Sequence, residues 1–134
     1  MDNFSEGKSW SLAIIAGKES PEWLYDEADF FIINSMLGEV AIPKFWDQQV
    51  QLRLQDLALA LAAVYGDDPR MSLVYLPQMT SNGVEGHFNG VPISTLEAAG
   101  FTPDNWITAV TTAASSFALA LPNKAIAVEV HTLV

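Results

Sequence analysis

The residues with the clearest capacity for chemistry are two Glu-x-His pairs, Glu85 with His87 and Glu129 with His131. These are the only two histidines in the chain. Residues two apart on a strand share a face, so each glutamate is expected beside its histidine. Both pairs lie in segments predicted to be strands. If these two strands are neighbours in the sheet, both pairs converge on a divalent metal ion such as zinc, manganese or non-haem iron. The alternative is two unrelated solvent-facing pairs, and the sequence leaves both open.

The stretch SNGVEGHFNGVPIS, residues 81–94, surrounds the first pair and is rich in glycine. Its glycine spacing matches neither the dinucleotide-binding pattern nor the P-loop, and no lysine is nearby. Asn82-Gly83 and Asn89-Gly90 are instead favoured pairs for type I′ hairpin turns. They predict a central antiparallel hairpin or meander over about residues 71–94.

Covalent catalysis has little support in this sequence. Cysteine is absent, there is no G-x-S-x-G motif, and the serines nearest a histidine fall in turns or caps. The neighbouring carboxylates Asp26/Glu27 and Asp67/Asp68 point apart on a helix or lie in a turn. The sequence therefore predicts a protein without catalytic residues and without a cofactor, unless the Glu-x-His pairs bind a metal.

The chain is acidic, with 16 Asp and Glu against 6 Lys and Arg and a formal net charge of −10. Direct binding to nucleic acid is therefore not expected, because it requires clustered cations. A protein partner with a basic surface is compatible with this charge, and so is simple solubility.

Three acids in the first third of the chain, Glu22, Asp26 and Asp29, are spaced four and three residues apart. Ser20-Pro21 is typical of a helix start and predicts a helix over about residues 21–37. On that helix the acids form one stripe, either a contact for a basic partner or a solvated face. The segment FFIIN within it is also compatible with a strand.

A second helix is predicted over about residues 43–65. Its main apolar stripe has helical spacing and consists of Trp46, Val50, Leu54, Leu57, Leu61 and Val64. Phe45, Leu52 and Leu59, seven apart, fall on nearly the opposite side. Two apolar stripes indicate either burial on both sides or a homo-oligomer interface at Phe45, Leu52 and Leu59.

These elements, with a third helix at about 103–121 and strands near both ends, predict an α+β fold. We expect one globular domain over residues 1–134, a two-layer arrangement with the antiparallel sheet packed on the helices. No apolar run is long enough to cross a membrane, and the N-terminus lacks the pattern of a signal peptide, so we expect no membrane and a cytoplasmic location. We expect each of the four tryptophans to pack in the core, and one that is exposed would be an interaction anchor.

The first functional hypothesis is a small acidic intracellular binding protein, a non-enzymatic inhibitor or immunity-type or anti-defence-type partner of another macromolecule, of phage or plasmid origin. Its basis is size and charge. The second hypothesis is a structural subunit of a homo-oligomer or particle. The third is a metal-dependent or small-molecule-binding protein that uses the paired Glu-x-His strands.

Overall fold

The computed structural model describes residues 7–35, 38–88 and 90–133. Within these residues the chain forms an α+β fold, which confirms the predicted class. The elements are β1 (Trp10–Ala13), β2 (Phe30–Ser35), β3 (Gly38–Pro43), α1 (Gln48–Tyr65), β4 (Met71–Tyr75), α2 (Ile93–Ala98), α3 (Pro103–Ala120) and β5 (Ala125–Ala127). Two short 3₁₀ turns, Gly17–Glu19 and Glu22–Asp26, lie between β1 and β2.

The larger sheet is parallel, with the strand order β1-β4-β5. Leu12, Val74 and Ile126 are in register across the three strands and lie on the face that belongs to the hydrophobic core. The opposite face carries Ser11 and Ala125, which are exposed. The carboxyl ends of all three strands consequently lie at one edge of the sheet.

The antiparallel pair is formed by β2 and β3, not by residues 71–94. The helix predicted over 21–37 is absent from its described part, because Ser20-Pro21 starts only the 3₁₀ turn Glu22–Asp26 and the chain then extends into β2. The strand alternative for FFIIN is therefore the correct one. Phe31 and Ile33 on β2 are buried in the core, whereas the alternate side chains face outward. Residues 36–37 lie outside the described part of the chain.

Residues 76–88, predicted within the central meander, form a largely buried loop after β4. A short turn closes through the Gly86 N–H, which donates to the Asn82 carbonyl at 3.1 Å, and an isolated bridge pairs Asn82 with His87. Gly86 has a φ of +67°, which interrupts the extended strand that the alternating pattern predicted. Asn89, half of the second predicted turn, lies outside the described residues.

The helices predicted at 43–65 and 103–121 are confirmed as α1 and α3, with α1 starting later than predicted. The Asp47 carboxylate accepts hydrogen bonds from two backbone N–H groups of the first turn of α1, which fixes its start. Thr102 and Asn105 form a reciprocal capping box on α3, with Pro103 in the first turn. The two helices pack against each other. In the described part of the chain, no helix has the length and apolar character needed to cross a membrane.

Aromatic rings join these elements into one core. Trp106 on α3 lies at the centre, with its ring centroid 5.1 Å from Phe45, 6.5 Å from Trp46 and 5.8 Å from Phe88. Phe31 of β2 packs on both Trp46 and Phe88. The prediction that Phe45 lies at an oligomer interface is wrong, because Phe45 is 0% exposed. It precedes the first residue of α1, so helical angles do not describe its direction.

Replacement of Phe45 by alanine tests this arrangement. The Phe45→Ala variant should lose about 3–5 kcal/mol of unfolding free energy, as expected when a fully buried aromatic side chain leaves a cavity. Leu59→Ala, on the exposed side of α1, should change it by less than about 0.5 kcal/mol. Urea unfolding followed by tryptophan fluorescence measures both, and equal effects would contradict the buried position of Phe45.

Candidate functional site

The carboxyl edge of the parallel sheet gathers the chain segments that follow β1, β4 and β5. The Leu76 N–H donates to the Ala127 carbonyl at 2.9 Å, and the Lys18 N–H donates to the Thr80 carbonyl at 3.3 Å. The Gln78 side chain reaches the third segment, where its Nε2 donates to the Glu129 carbonyl at 2.9 Å. Ligands of open parallel sheets bind at this edge, outside the strand ends.

Glycine allows these segments to approach closely. A Cβ at Gly17, whose φ is +69°, would lie 1.8 Å from the Thr80 carbonyl oxygen. A Cβ at Gly86 would lie 2.5 Å from Nε2 of Gln78. Because Gly86 has no Cβ, the buried Gln78 side chain fits between the 82–86 turn and the C-terminal segment, where it binds the Glu129 carbonyl.

The two Glu-x-His pairs converge at this edge. The His87 and His131 rings lie 5.5 Å apart between centroids, with an angle of 75° between their planes. Nε2 of His87 lies 2.9 Å from Oε2 of Glu85, and Nε2 of His131 lies 3.2 Å from Oε1 of Glu129. Each glutamate thus lies beside its histidine, but the predicted strands are absent at both pairs, so the proximity does not come from a shared strand face.

Backbone contacts, not strand pairing, bring the pairs together. The Phe88 N–H donates to the Leu133 carbonyl at 2.8 Å. Phe88 is the residue after His87, and Leu133 is two residues after His131, so this bond joins the two segments next to the histidines. Gln78 binds the carbonyl of Glu129 on the other side of His131. Among the described residues, no group of three or more His, Cys, Asp or Glu side chains is arranged to hold a metal ion.

A half-open groove of about 300 Å³ adjoins these pairs. Its walls are mainly apolar and include Trp106, Val110 and Val128, whereas Gln78, Glu129 and His131 supply polar groups. The volume is at the lower end of the range for small-molecule sites.

A second surface lies on the outer side of β2, which we call the hairpin face, formed by Tyr25, Phe30 and Ile32. Phe30 is 44% exposed and Ile32 is 45% exposed. The Tyr25 ring packs edge-on against Phe30 at 5.4 Å, and its hydroxyl donates to the Ala41 carbonyl at 3.1 Å. Burial, with a smaller contribution from Glu19, raises the pKa of this phenol, so the hydroxyl remains protonated.

The predicted acidic stripe is not a helical stripe in this fold. Glu22 and Asp26 lie on the 3₁₀ turn on either side of Tyr25, and Asp29 directly precedes Phe30. All three acids are exposed. The Asp29 carboxylate lies 3.5 Å from Nζ of Lys44, whereas Glu22 and Asp26 form no ion pair with any described residue. Asp29 therefore adjoins the hairpin face in the sequence, and Glu22 and Asp26 lie on the turn that contributes Tyr25 to it.

Trp23, 51% exposed, lies on the same 3₁₀ turn. The Arg53 guanidinium of α1 lies 5.9 Å from its ring centroid and pairs with Glu27 at 2.7 Å and Asp56 at 2.9 Å. These contacts attach the turn to α1.

The remaining predicted interface residues, Leu52 and Leu59, lie on α1 and are 43% and 55% exposed. They are seven residues apart and therefore share a side of the helix. Of the three residues predicted for an oligomer interface, these two remain at the surface.

No family model, curated protein or solved structure matches this chain. The candidate residues are therefore assigned from geometry, and sequence reasoning missed two of them. Trp23 was one of four tryptophans with no signal for exposure. Gln78 was one residue in a segment interpreted as a strand, and only its burial and its bond to Glu129 distinguish it.

Alanine at Gly86 tests how the histidine pairs are positioned, with alanine at Gly90 as the control. Both positions have positive φ, so each substitution costs about 1–2 kcal/mol of backbone strain. Only the Gly86 Cβ would displace Gln78, since nothing lies within 4 Å of a Cβ at Gly90. Gly86→Ala should be the more destabilising by at least about 1 kcal/mol and should weaken the NOEs between the His87 and His131 rings. Equal losses and unchanged NOEs would contradict this role of Gln78.

Proposed function

We propose that this chain is a non-enzymatic binding protein that recognises a basic surface of another protein through the hairpin face. The observation that carries the proposal is the exposure of Phe30 and Ile32 next to the turn that carries Glu22 and Asp26, two carboxylates without an ion pair among the described residues; Tyr25 of that turn packs against Phe30. Apolar residues surrounded by polar ones are the usual composition of a protein-binding site.

The two kinds of residue have different parts in this proposal. Phe30 and Ile32 would lose water on association and contribute most of the affinity. Glu22, Asp26 and Asp29 would attract the basic partner and accelerate encounter, an effect that weakens as salt increases. Trp23 lies on the same turn as two of these acids and supplies a further aromatic anchor.

A protein partner fits this surface better than nucleic acid does. The chain has only 6 Lys and Arg, and four of them, Lys18, Lys44, Arg53 and Arg70, are paired with acids. Phosphate binding requires clustered unpaired cations. At a finer level, we propose that the protein acts in the cytoplasm as an inhibitor, in the manner of immunity or anti-defence proteins that cover a basic region of their target.

A displayed random peptide library tests the recognition directly, because it presents many combinations of charged and apolar side chains. Peptides enriched on the wild-type protein should combine Lys or Arg with aliphatic or aromatic residues. The Glu22→Lys/Asp26→Lys double variant should bind the best peptide at least about tenfold more weakly in low salt, with the difference shrinking as salt increases. Fluorescence anisotropy at about 50 and 200 mM salt measures this.

The control is the Asp67→Lys/Glu97→Lys variant, which makes the same change of net charge at exposed positions elsewhere. It should retain nearly full binding, while Phe30→Ser/Ile32→Ser should lose it even at high salt. Enrichment of peptides without basic residues, or equal losses in the two charge variants, would overturn the proposal.

A second candidate function, subunit of a homo-oligomer, is favoured by Leu52 and Leu59 on one exposed side of α1. In a two-fold dimer this side of α1 would pack against the same side of α1 in the second subunit. Arg53 and Asp56, which pair on α1 next to these leucines, would lie at the rim.

Light scattering after size exclusion separates the two candidates. An oligomer formed through α1 should become monomeric in Leu52→Glu/Leu59→Glu and remain assembled in Phe30→Ser/Ile32→Ser. A wild-type protein that is monomeric at about 100 μM, a concentration well above the dissociation constant of a typical specific dimer, would eliminate this second candidate.

A further inference from the structure

Hydrogen bonds of the neighbouring residues already hold the two histidines close to each other. His87 precedes Phe88, whose N–H binds the Leu133 carbonyl, and His131 lies between two fixed positions of the C-terminal segment. Their ring centroids are 5.5 Å apart. For a tetrahedral ion bound to two imidazole nitrogens at about 2.0–2.1 Å, the ring centroids lie about 5 Å apart. The observed separation is close to this value.

Each histidine uses the same ring nitrogen for its glutamate, namely Nε2. A neutral imidazole that donates Nε2–H to a carboxylate carries its lone pair on Nδ1. Neither Nδ1 forms a hydrogen bond with any described residue. A carboxylate bound to the far nitrogen is the usual outer support of a metal-binding histidine, because it fixes the ring orientation and raises the basicity of the ligand.

Glu85 is itself oriented, since its Oε2 also accepts a hydrogen bond from Nδ2 of Asn82 at 2.6 Å. Asn82 belongs to the turn that closes on His87 through the isolated bridge. The three residues therefore form a connected chain, Asn82 to Glu85 to His87, in which each group determines the direction of the next.

We propose that His87 and His131 bind one divalent transition-metal ion such as Zn²⁺ through their Nδ1 atoms, with Glu85 and Glu129 as outer carboxylates. Imidazole ligands favour zinc, nickel and copper over magnesium and calcium, which prefer oxygen. The described chain supplies two nitrogen ligands, so water or a bound molecule completes the coordination. Because Glu129 and His131 line the groove, the ion lies at its margin, where it can anchor an anionic group of a small molecule.

The metal site is separate from the hairpin face. The expectation that all four side chains bind the metal directly is not met among the described residues, because each glutamate contacts Nε2 of its histidine. Two protein ligands hold zinc less tightly than the four of a structural site, so we expect micromolar affinity and no dependence of folding on metal.

Isothermal titration with ZnCl₂ on the full chain tests the site. The wild type should bind one equivalent, and His87→Gln and His131→Gln should each weaken binding at least tenfold. Glu85→Gln and Glu129→Gln, which keep both proposed ligands, should weaken it by about 10–100-fold. Glu97→Gln, an exposed acid on α2, should bind as the wild type does.

NMR of the imidazole nitrogens supplies a second readout. On addition of Zn²⁺ the Nδ1 resonances of both histidines should shift as ligands do, while the Nε2 resonances keep the signature of protonated nitrogen. His131 is exposed, so its variant should fold even if His87→Gln does not. Absence of binding at 1 mM Zn²⁺ (about a thousandfold above the expected affinity), unchanged binding in His131→Gln, or coordination through Nε2 would each overturn the proposal.

Discussion

The packing of aromatic rings around Trp106 is the constraint on which the rest of this structure depends. The rings come from β2, the segment before α1, the loop after β4, the segment before α3, and α3 itself. Edge contacts between such rings contribute about 0.5–1.5 kcal/mol each beyond the burial of their area. Because β2 and β3 share no strand with the parallel sheet, this cluster is what fastens the hairpin to the helices.

Phe88 connects the aromatic core to the candidate site. Its ring packs between Phe31 and Trp106, while its backbone N–H binds the Leu133 carbonyl. The residue before it is His87, so the core determines where that imidazole lies. On the opposite side, the buried Gln78 fixes Glu129 and hence His131. The two histidines are thus positioned by the interior of the protein, although both lie outside helices and strands.

The elements that depend on neighbouring residues could be predicted from the sequence, whereas those that depend on contacts between distant segments could not. The caps and periodic stripes of α1 and α3 identify both helices, because their buried residues repeat at helical spacing. The β2–β3 hairpin was missed because PEWLYDEADFFII has a helix-start signal and no alternation of polar and apolar residues. Asn82-Gly83 indicated a hairpin, but the turn closes around Gly86 instead. The pairing of Glu with His was predictable, whereas the convergence of the pairs depends on hydrogen bonds between segments far apart in the sequence, Phe88 to Leu133 and Gln78 to Glu129, which no local pattern contains.

The lack of alternation in β2 is itself informative about function. A strand with one face on a core and the other in water normally alternates apolar and polar residues. Here Phe31 and Ile33 fill the core, whereas Phe30, which packs against Tyr25, and Ile32 remain nearly half exposed on the outer side of the strand. Under the proposed function, contact with a partner protein would cover these side chains. In that proposal the carboxylates of Glu22 and Asp26 would disfavour any partner that is not basic at the corresponding position.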